Sequence, residues 1–101
     1  MESEPVCGGL TEVQTAEGGV QRVADLMKRK VEEATGKEYP IFQLLSYRTQ
    51  VVAGANIFMK VKVKENGECL HLRVFRSFTE GTFELHGCQE NKAVEEELVY
   101  F

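Results

Sequence analysis

The sequence predicts an α+β domain in which one N-terminal helix packs across an antiparallel sheet of four to five strands. An apolar stripe with helical spacing occurs near the N-terminus, and apolar side chains then alternate with polar ones through several short segments. Short turn signals separate these segments and predict hairpins between neighbouring strands. A helix with one apolar stripe and a sheet with one apolar face bury both surfaces by packing together in two layers.

The length and composition fit one domain over residues 1–101. The chain has 101 residues, 43% of them hydrophobic, so it can form a core but has little room for a large active-site cavity. We expect residues 1 to about 14 to be flexible, with 1–9 as an N-terminal segment, because Gly8-Gly9 leaves this terminus few side chains to anchor it. The formal net charge of −4 argues against binding to nucleic acid.

The helix is predicted from about Glu17 to Thr35. Gly36 is well placed as its C-terminal cap, whereas Gly18-Gly19 weakens the first turn, so the secure part begins at Val20. The apolar residues that share one face are Val20, Val23, Ala24, Met27, Val31 and Ala34.

Strands are predicted after Tyr39-Pro40. The segment Ile41 to Thr49 changes phase, which a β-bulge near Leu44-Leu45 would explain. Asn56 to Lys64 alternates regularly. Its inward residues are Ile57, Met59, Val61 and Val63, and the opposite, solvated face carries Lys60, Lys62 and Lys64.

The second half of the chain continues the alternation. Asn66-Gly67 predicts a type I′ hairpin turn before a strand from Cys69 to Phe75. A loop around 79–81 separates it from a last strand that contains Phe83 and Leu85. The end, Leu98 to Phe101, is apolar enough to dock on the sheet or beside it. The inward residues of the Cys69 to Phe75 strand are Leu70, Leu72 and Val74.

The sequence gives little support for a catalytic site or a metal site. Cys69 and His71 share a strand face and could pair as a thiol nucleophile and its base, but no third orienting group is evident. A solvated or half-buried strand face is the favoured alternative. His86-Gly87-Cys88 has no CxxC or HxxxH partner, and no glycine-rich phosphate loop occurs, so we expect no metal and no cofactor.

The most informative run is Gln50-Val51-Val52-Ala53-Gly54, which predicts a hairpin with an apolar tip. Such a tip is either packed in the protein's own core or inserted into a partner's cleft. In a meander, the connections at 53–55 and near 79–81 emerge at the same end of the sheet. A mobile Gly8-Gly9 terminus can join them there, which favours the partner's cleft.

These residues resemble the cystatin family, and within it the stefins, its intracellular type 1 branch. The resemblance covers nearly the whole chain. The matching segments are Gly8-Gly9-Leu10, Gln50 to Gly54, Asn56, His71 to Phe75, Asn91-Lys92 and Glu97 to Phe101.

The resemblance implies a cystatin-like fold and a reversible, non-covalent, competitive inhibitor of papain-like cysteine proteases. Such a protein is not an enzyme; a wedge of three parts fills the active-site cleft. The implied protease-binding residues are Cys7, Gly8 and Gly9 in the first part, Gln50, Val51, Val52, Ala53 and Gly54 in the second, and Phe78, Thr79 and Glu80 in the third.

The implied partners are cathepsins of the L, S, H and B classes, with no nucleic acid and no membrane. We expect a monomer, with a domain-swapped dimer as the alternative. An odd number of cysteines and no visible signal peptide predict the cytoplasm, with the nucleus as a further compartment.

The second loop departs from the stefin pattern. Phe78-Thr79 stands where stefins usually carry Leu-Pro, the segment between Ser77 and Gln89 is shorter, and Cys88 replaces a frequent Tyr. The alternative function is therefore a cystatin-fold interaction module with weak or no protease inhibition.

Overall fold

The computed structural model describes residues 10–15 and 19–101. In this part of the chain one helix packs on a five-stranded antiparallel sheet with the order β1-β2-β3-β4-β5. The α+β architecture is therefore confirmed. The elements are β1 (Gln14–Thr15), α1 (Val20–Thr35), β2 (Gln43–Val52), β3 (Gly54–Lys62), β4 (Cys69–Arg76) and β5 (Phe83–Lys92).

Helix α1 begins at Val20 and ends at Thr35, as its secure part was predicted to do; the earlier start at Glu17 lies outside the described residues. Gly36 takes the left-handed conformation, with φ of 73°, and its N–H donates to the carbonyl oxygen of Glu32 at 2.9 Å. The apolar stripe faces the sheet and buries Ala24, Met27 and Val31, but its last predicted member, Ala34, is exposed. No helix in the described ranges is long and apolar enough to cross a membrane.

The main core lies between α1 and the sheet. The predicted β-bulge is present, because the pairing of β2 with β3 shifts register between Leu44 and Ser46. This shift brings the side chains after it back into phase with the core. The inward residues of β3 and β4 are confirmed and include Ile57, Met59, Val61, Leu70, Leu72 and Val74.

The turn between β3 and β4 differs from the prediction. Gly67 has φ of 96°, but Asn66 does not take the positive φ that a type I′ turn requires. The N–H of Gly67 donates to Lys64 at 3.0 Å, and that of Val63 to Glu68 at 2.9 Å. The type I′ prediction is thus wrong, because the connection is a longer loop in which only the glycine is left-handed.

The sheet face opposite the helix is also covered, which corrects the prediction of a solvated or half-buried face around Cys69 and His71. These side chains are 0% and 1% exposed. The C-terminal segment, residues 93–101, lies over this face and buries Leu98. The ring of Phe58 lies 5.7 Å from the rings of both Tyr100 and Phe101. The predicted docking of the C-terminus on the sheet is confirmed.

The C-terminal segment also reduces the exposure of the lysine face that was predicted to be solvated. Lys60 and Lys62 are half-buried, and only Lys64 is exposed as expected. The ammonium of Lys60 donates to the carbonyl oxygen of Val94, in the C-terminal segment. The lysine stems thus lie beneath or beside this segment, with their charged ends at its edge.

The prediction of a flexible stretch up to about residue 14 is wrong for its described part. Leu10 forms a bridge with Gln50, and the N–H of Thr11 donates to Thr49 at 2.9 Å. β1 continues the pairing along β2, where Gln14 lies opposite Tyr47. Backbone pairing thus anchors residues that lack a strong strand pattern. The predicted flexible segment 1–9 lies outside the described residues.

Candidate functional site

Two loops meet at one end of the sheet, as the meander predicted. Ala53 links β2 to β3, and residues 77–82 link β4 to β5. Ala55 pairs with Arg76, and Arg76 pairs with Phe83, so both loops begin from the same end of adjacent strand pairs. We call residues 50–54 and 77–82 together the loop edge.

Leu10 brings the N-terminal chain to the same edge. Its partner is Gln50, whereas Gln14 pairs farther down β2 with Tyr47. The chain before Leu10 therefore arrives beside the first loop. Cys7, Gly8 and Gly9, which were predicted to bind a protease, lie outside the described residues.

Only some of the protease-binding residues predicted in the first loop have exposed side chains. Val51 is 58% exposed and Ala53 is exposed, whereas Val52 is half-buried. Gln50 is only 6% exposed, and its Oε1 accepts a hydrogen bond from Asn56 Nδ2 at 2.9 Å. The apolar tip therefore projects from the protein instead of joining its core, while Gln50 stabilises the base of the loop.

Gly54 makes the tight tip possible. Its φ of 137° lies in a region that side-chain-bearing residues rarely adopt. A Cβ at this position would lie 2.5 Å from Cζ of Phe75 and 2.7 Å from the carbonyl oxygen of Arg76. Only glycine fits here without displacing β4 or the loop.

The second loop is closed by hydrogen bonds around Ser77. Its N–H donates to Thr82 at 3.0 Å, its carbonyl oxygen accepts from Gly81 at 2.9 Å, and its Oγ accepts from the N–H of Glu80 at 3.2 Å. Phe78 is 60% exposed at the start of this loop. Hydrogen bonds of Ser77 thus hold a loop that lacks the stefin proline.

Sequence reasoning overlooked Ser77 as a loop-organising residue. The available signal was a serine at the start of a loop that contains glycine, a pattern typical of turns in which the hydroxyl binds the backbone. Arg76 was also overlooked. It is exposed and pairs with Ala55, so a basic residue lies at the base of the first loop.

The buried Cys69 and His71 are poorly suited to thiol catalysis. Burial raises the pKa of the Cys69 thiol, and its Sγ donates to the carbonyl oxygen of Gly67 at 3.2 Å. Burial, followed by the charges of Lys60 and Lys92, lowers the pKa of His71 to about 4. A protonated thiol under the C-terminal segment is neither activated nor open to a substrate.

The other sulfur and metal candidates behave similarly. Cys88 is half-buried, and burial raises its pKa to about 11, so its thiol is protonated at neutral pH. His86 instead hydrogen-bonds Glu84, its Nε2 lying 3.1 Å from Oε1. Across residues 10–15 and 19–101, histidine, cysteine and acidic side chains form no group of three that could hold a metal ion.

Comparison with known proteins identifies the family. A model of the cystatin domain matches residues 8–95, which is most of the chain. The chain belongs to the cystatin family. Cystatin-A of Mus musculus is 45% identical over 96 residues, covering 93% of this chain and 97% of the relative.

Two further relatives extend the match. Stefin-1 of Mus musculus is 41% identical over 95 residues, covering 93% of this chain and 97% of the relative. Cystatin-B of Homo sapiens is 39% identical over 98 residues, covering 95% and 99%. These relatives are stefins and confirm the resemblance drawn from the residues. They indicate a family of cysteine-protease inhibitors, whose members are not enzymes.

Proposed function

We propose that this protein is a reversible, non-covalent, competitive inhibitor of papain-like cysteine proteases and that its loop edge enters the active-site cleft. The observation that carries this proposal is the exposure of two large apolar side chains, Val51 at 58% and Phe78 at 60%, on neighbouring loops of a cystatin sheet. Exposed apolar groups gathered at one edge are typical of a binding surface.

Each part of the three-part wedge has a proposed place in the cleft. Gly8 and the residues before it, including Cys7, occupy the non-primed subsites, Gly9 also contacts the protease, and Gln50 to Gly54 reach the centre and the primed side. Phe78, Thr79 and Glu80 add primed-side contacts. Residues 50–54 contain no ionisable side chain, so this part can enter a partly apolar cleft without leaving a charge unpaired.

Occupancy alone explains inhibition in this arrangement. The first loop offers small residues and backbone where the catalytic groups lie, and Gly8 lets the chain turn away before a peptide bond reaches attack geometry. The hydrogen bonds around Ser77 and the glycine tip at Gly54 preform both loops, so little conformational entropy is lost on binding. An interface of about 1,600 Å² in total would be of standard size.

We propose cathepsins of the L, S, H and B classes as targets and the cytoplasm as the compartment. Cys69 and Cys88 form no disulfide within the described residues, which is compatible with a reducing environment. The proposed state is a monomer, with exchange of elements between two chains as the alternative.

A second candidate function rests on the second loop. Phe78-Thr79 replaces the Leu-Pro of other stefins, and a changed primed-side contact can weaken inhibition. The chain would then be a cystatin-fold interaction module that binds partners through the same edge.

Titration of papain separates the two candidates. Papain calibrated by its active-site content should lose activity in proportion to added protein, with one inhibitor per active enzyme, and added substrate should reduce the inhibition competitively. Papain with its active-site thiol carboxymethylated should still bind in calorimetry, because no covalent step is required. If micromolar protein leaves papain fully active, the inhibitor proposal fails and the interaction module remains.

A further inference from the structure

We infer that Phe75, supported by His86, is a positioning residue that fixes the first loop and thereby sets how long a bound protease is retained. The inference rests on the proposed function. Neither residue belongs to the loop edge, so both act through contacts within the protein.

Phe75 packs directly on the glycine of the first loop. A Cβ on Gly54 would lie 2.5 Å from Cζ and 2.7 Å from Cε1 of this ring. The ring thus occupies the space that a side chain at position 54 would need. Since Gly54 follows Ala53 at the tip, a movement of the ring alters the support of the loop.

A face of the ring is supported from the next strand. The imidazole of His86 stacks on Phe75, with ring centroids 5.3 Å apart and planes inclined by 6°. His86 lies in β5, close to the register shift in the pairing of β4 with β5, and its Nε2 lies 3.1 Å from Oε1 of Glu84. A bulge commonly redirects a side chain in this way.

Asn56 extends the support across the sheet. It pairs with Gln50 in β2 and with Phe75 in β4, and its amide donates to Gln50 Oε1 at 2.9 Å. Gln50, Asn56, Phe75 and His86 therefore connect β2, β3, β4 and β5 beneath the first loop. Side chains that hold a loop in its bound conformation reduce the entropy lost on binding, and interface changes act mostly on dissociation.

The test compares Phe75→Leu and His86→Ala with a matched control, Phe42→Leu. Phe42 is a half-buried aromatic residue near the other end of β2, 6.2 Å from the ring of Tyr39. Association and dissociation rates with papain are measured for each variant. We expect Phe75→Leu to raise the dissociation rate about tenfold while the association rate stays within a factor of about 2.

The remaining variants test whether His86 acts through the ring of Phe75. His86→Ala should give a smaller rise, and its effect should largely vanish in the Phe75→Leu background, because removal of the ring removes what His86 supports. Phe42→Leu should leave the dissociation rate unchanged. Equal dissociation rates for Phe75→Leu and the wild type, or strictly additive effects of the two substitutions, would overturn the inference.

A second measurement does not require a protease. In the free protein, NMR order parameters of the Ala53 and Gly54 amides should fall in Phe75→Leu and remain unchanged in Phe42→Leu. His86 is exposed, so His86→Ala keeps its fold and supplies the test if Phe75→Leu unfolds. Wild-type protein that fails to inhibit papain refutes the proposed function alone, whereas unchanged order parameters in the Phe75→Leu and His86→Ala variants refute the positioning role alone.

Discussion

His71 lies directly opposite Lys60 in the pairing of β3 with β4, on the sheet face that the C-terminal segment covers. The imidazole is 1% exposed, and its Nε2 has no hydrogen-bond partner among the described residues. Burial lowers the pKa of His71 to about 4, helped by the positive charges of Lys60 and Lys92 and opposed by Glu96. The folded protein therefore holds His71 neutral.

This burial predicts a loss of stability in acid. The unfolded chain takes up a proton at His71 below a pKa of 6.5, whereas the folded chain does so only near 4. The free energy of unfolding should thus fall as the pH falls through this window, by at most about 3 kcal/mol from His71. Urea unfolding between neutral pH and pH 4 measures the slope.

Two variants test whether His71 causes this dependence of the free energy of unfolding on pH. His71→Gln removes the titrating group, so its free energy of unfolding should depend less on pH in this window, whatever its stability at neutral pH. Leu26→Ala alters an exposed residue that does not titrate and should keep the wild-type slope. Identical slopes for wild type and His71→Gln would show that His71 is not responsible.

Much of the fold could be predicted from the periodicity of apolar residues. The helix stripe follows the helical repeat, and the inward residues of β3 and β4 follow the alternation of a strand. Periodicity could not show that the other sheet face is buried. There the buried side chains, Cys69, His71 and Phe58, alternate with core residues and include polar groups. Their cover comes from the distant C-terminal segment. The pairing of Leu10 with Gln50 also depends on contacts far apart in sequence.

Gly54→Ala should destabilise the protein by about 3 kcal/mol, because it combines an unfavourable φ with overlap on Phe75 and Arg76. Gly36→Ala is the matched control. Gly36 also has a positive φ, of 73°, but among the described residues nothing beyond its chain neighbours lies within 4 Å of its Cβ position, so we expect a cost of about 1 kcal/mol. Urea unfolding measures the loss of stability in both variants. Equal losses would mean that the overlap of the added methyl group with Phe75 and Arg76 is relieved without cost.

Gly8→Arg should weaken papain binding by about tenfold or more, because a bulky charged side chain obstructs close approach of the proposed first part. The association and dissociation rates give the affinity. Glu2→Arg introduces the same side chain nearer the N-terminus, at a greater distance in sequence from Leu10, and should have a smaller effect. Unchanged inhibition by the Gly8 variant would remove the N-terminal segment from the proposed wedge.

The candidate site was only partly predictable from the sequence. The meander placed both loops at one end of the sheet, since each hairpin reverses the chain. Sequence could not reveal that Gln50 turns back toward Asn56, or that Ser77 closes the second loop. Both depend on side-chain rotamers, which the alternation of polar and apolar residues does not specify.

Val51→Asp should raise the inhibition constant for papain by about a hundredfold, because it places a carboxylate in a partly apolar cleft. Val51 is 58% exposed, so the free energy of unfolding should change by only about 0.5 kcal/mol. Leu26→Asp is the control: Leu26 is 57% exposed but lies on the helix. If both variants inhibit equally well, the first loop is not the centre of the interface.

Phe78→Ala tests whether an aromatic side chain replaces the Leu-Pro contact of other stefins. Phe78 is 60% exposed and contributes little to the core, so its truncation should leave stability unchanged but weaken papain binding by about tenfold. Leu26→Ala, an equally exposed truncation on the helix, should not affect binding. The same titration applied to several cathepsins shows selectivity: a loss that differs between targets identifies the second loop as its source. Full inhibition by Phe78→Ala, together with a strong effect of Val51→Asp, would instead reduce the wedge to its first two parts.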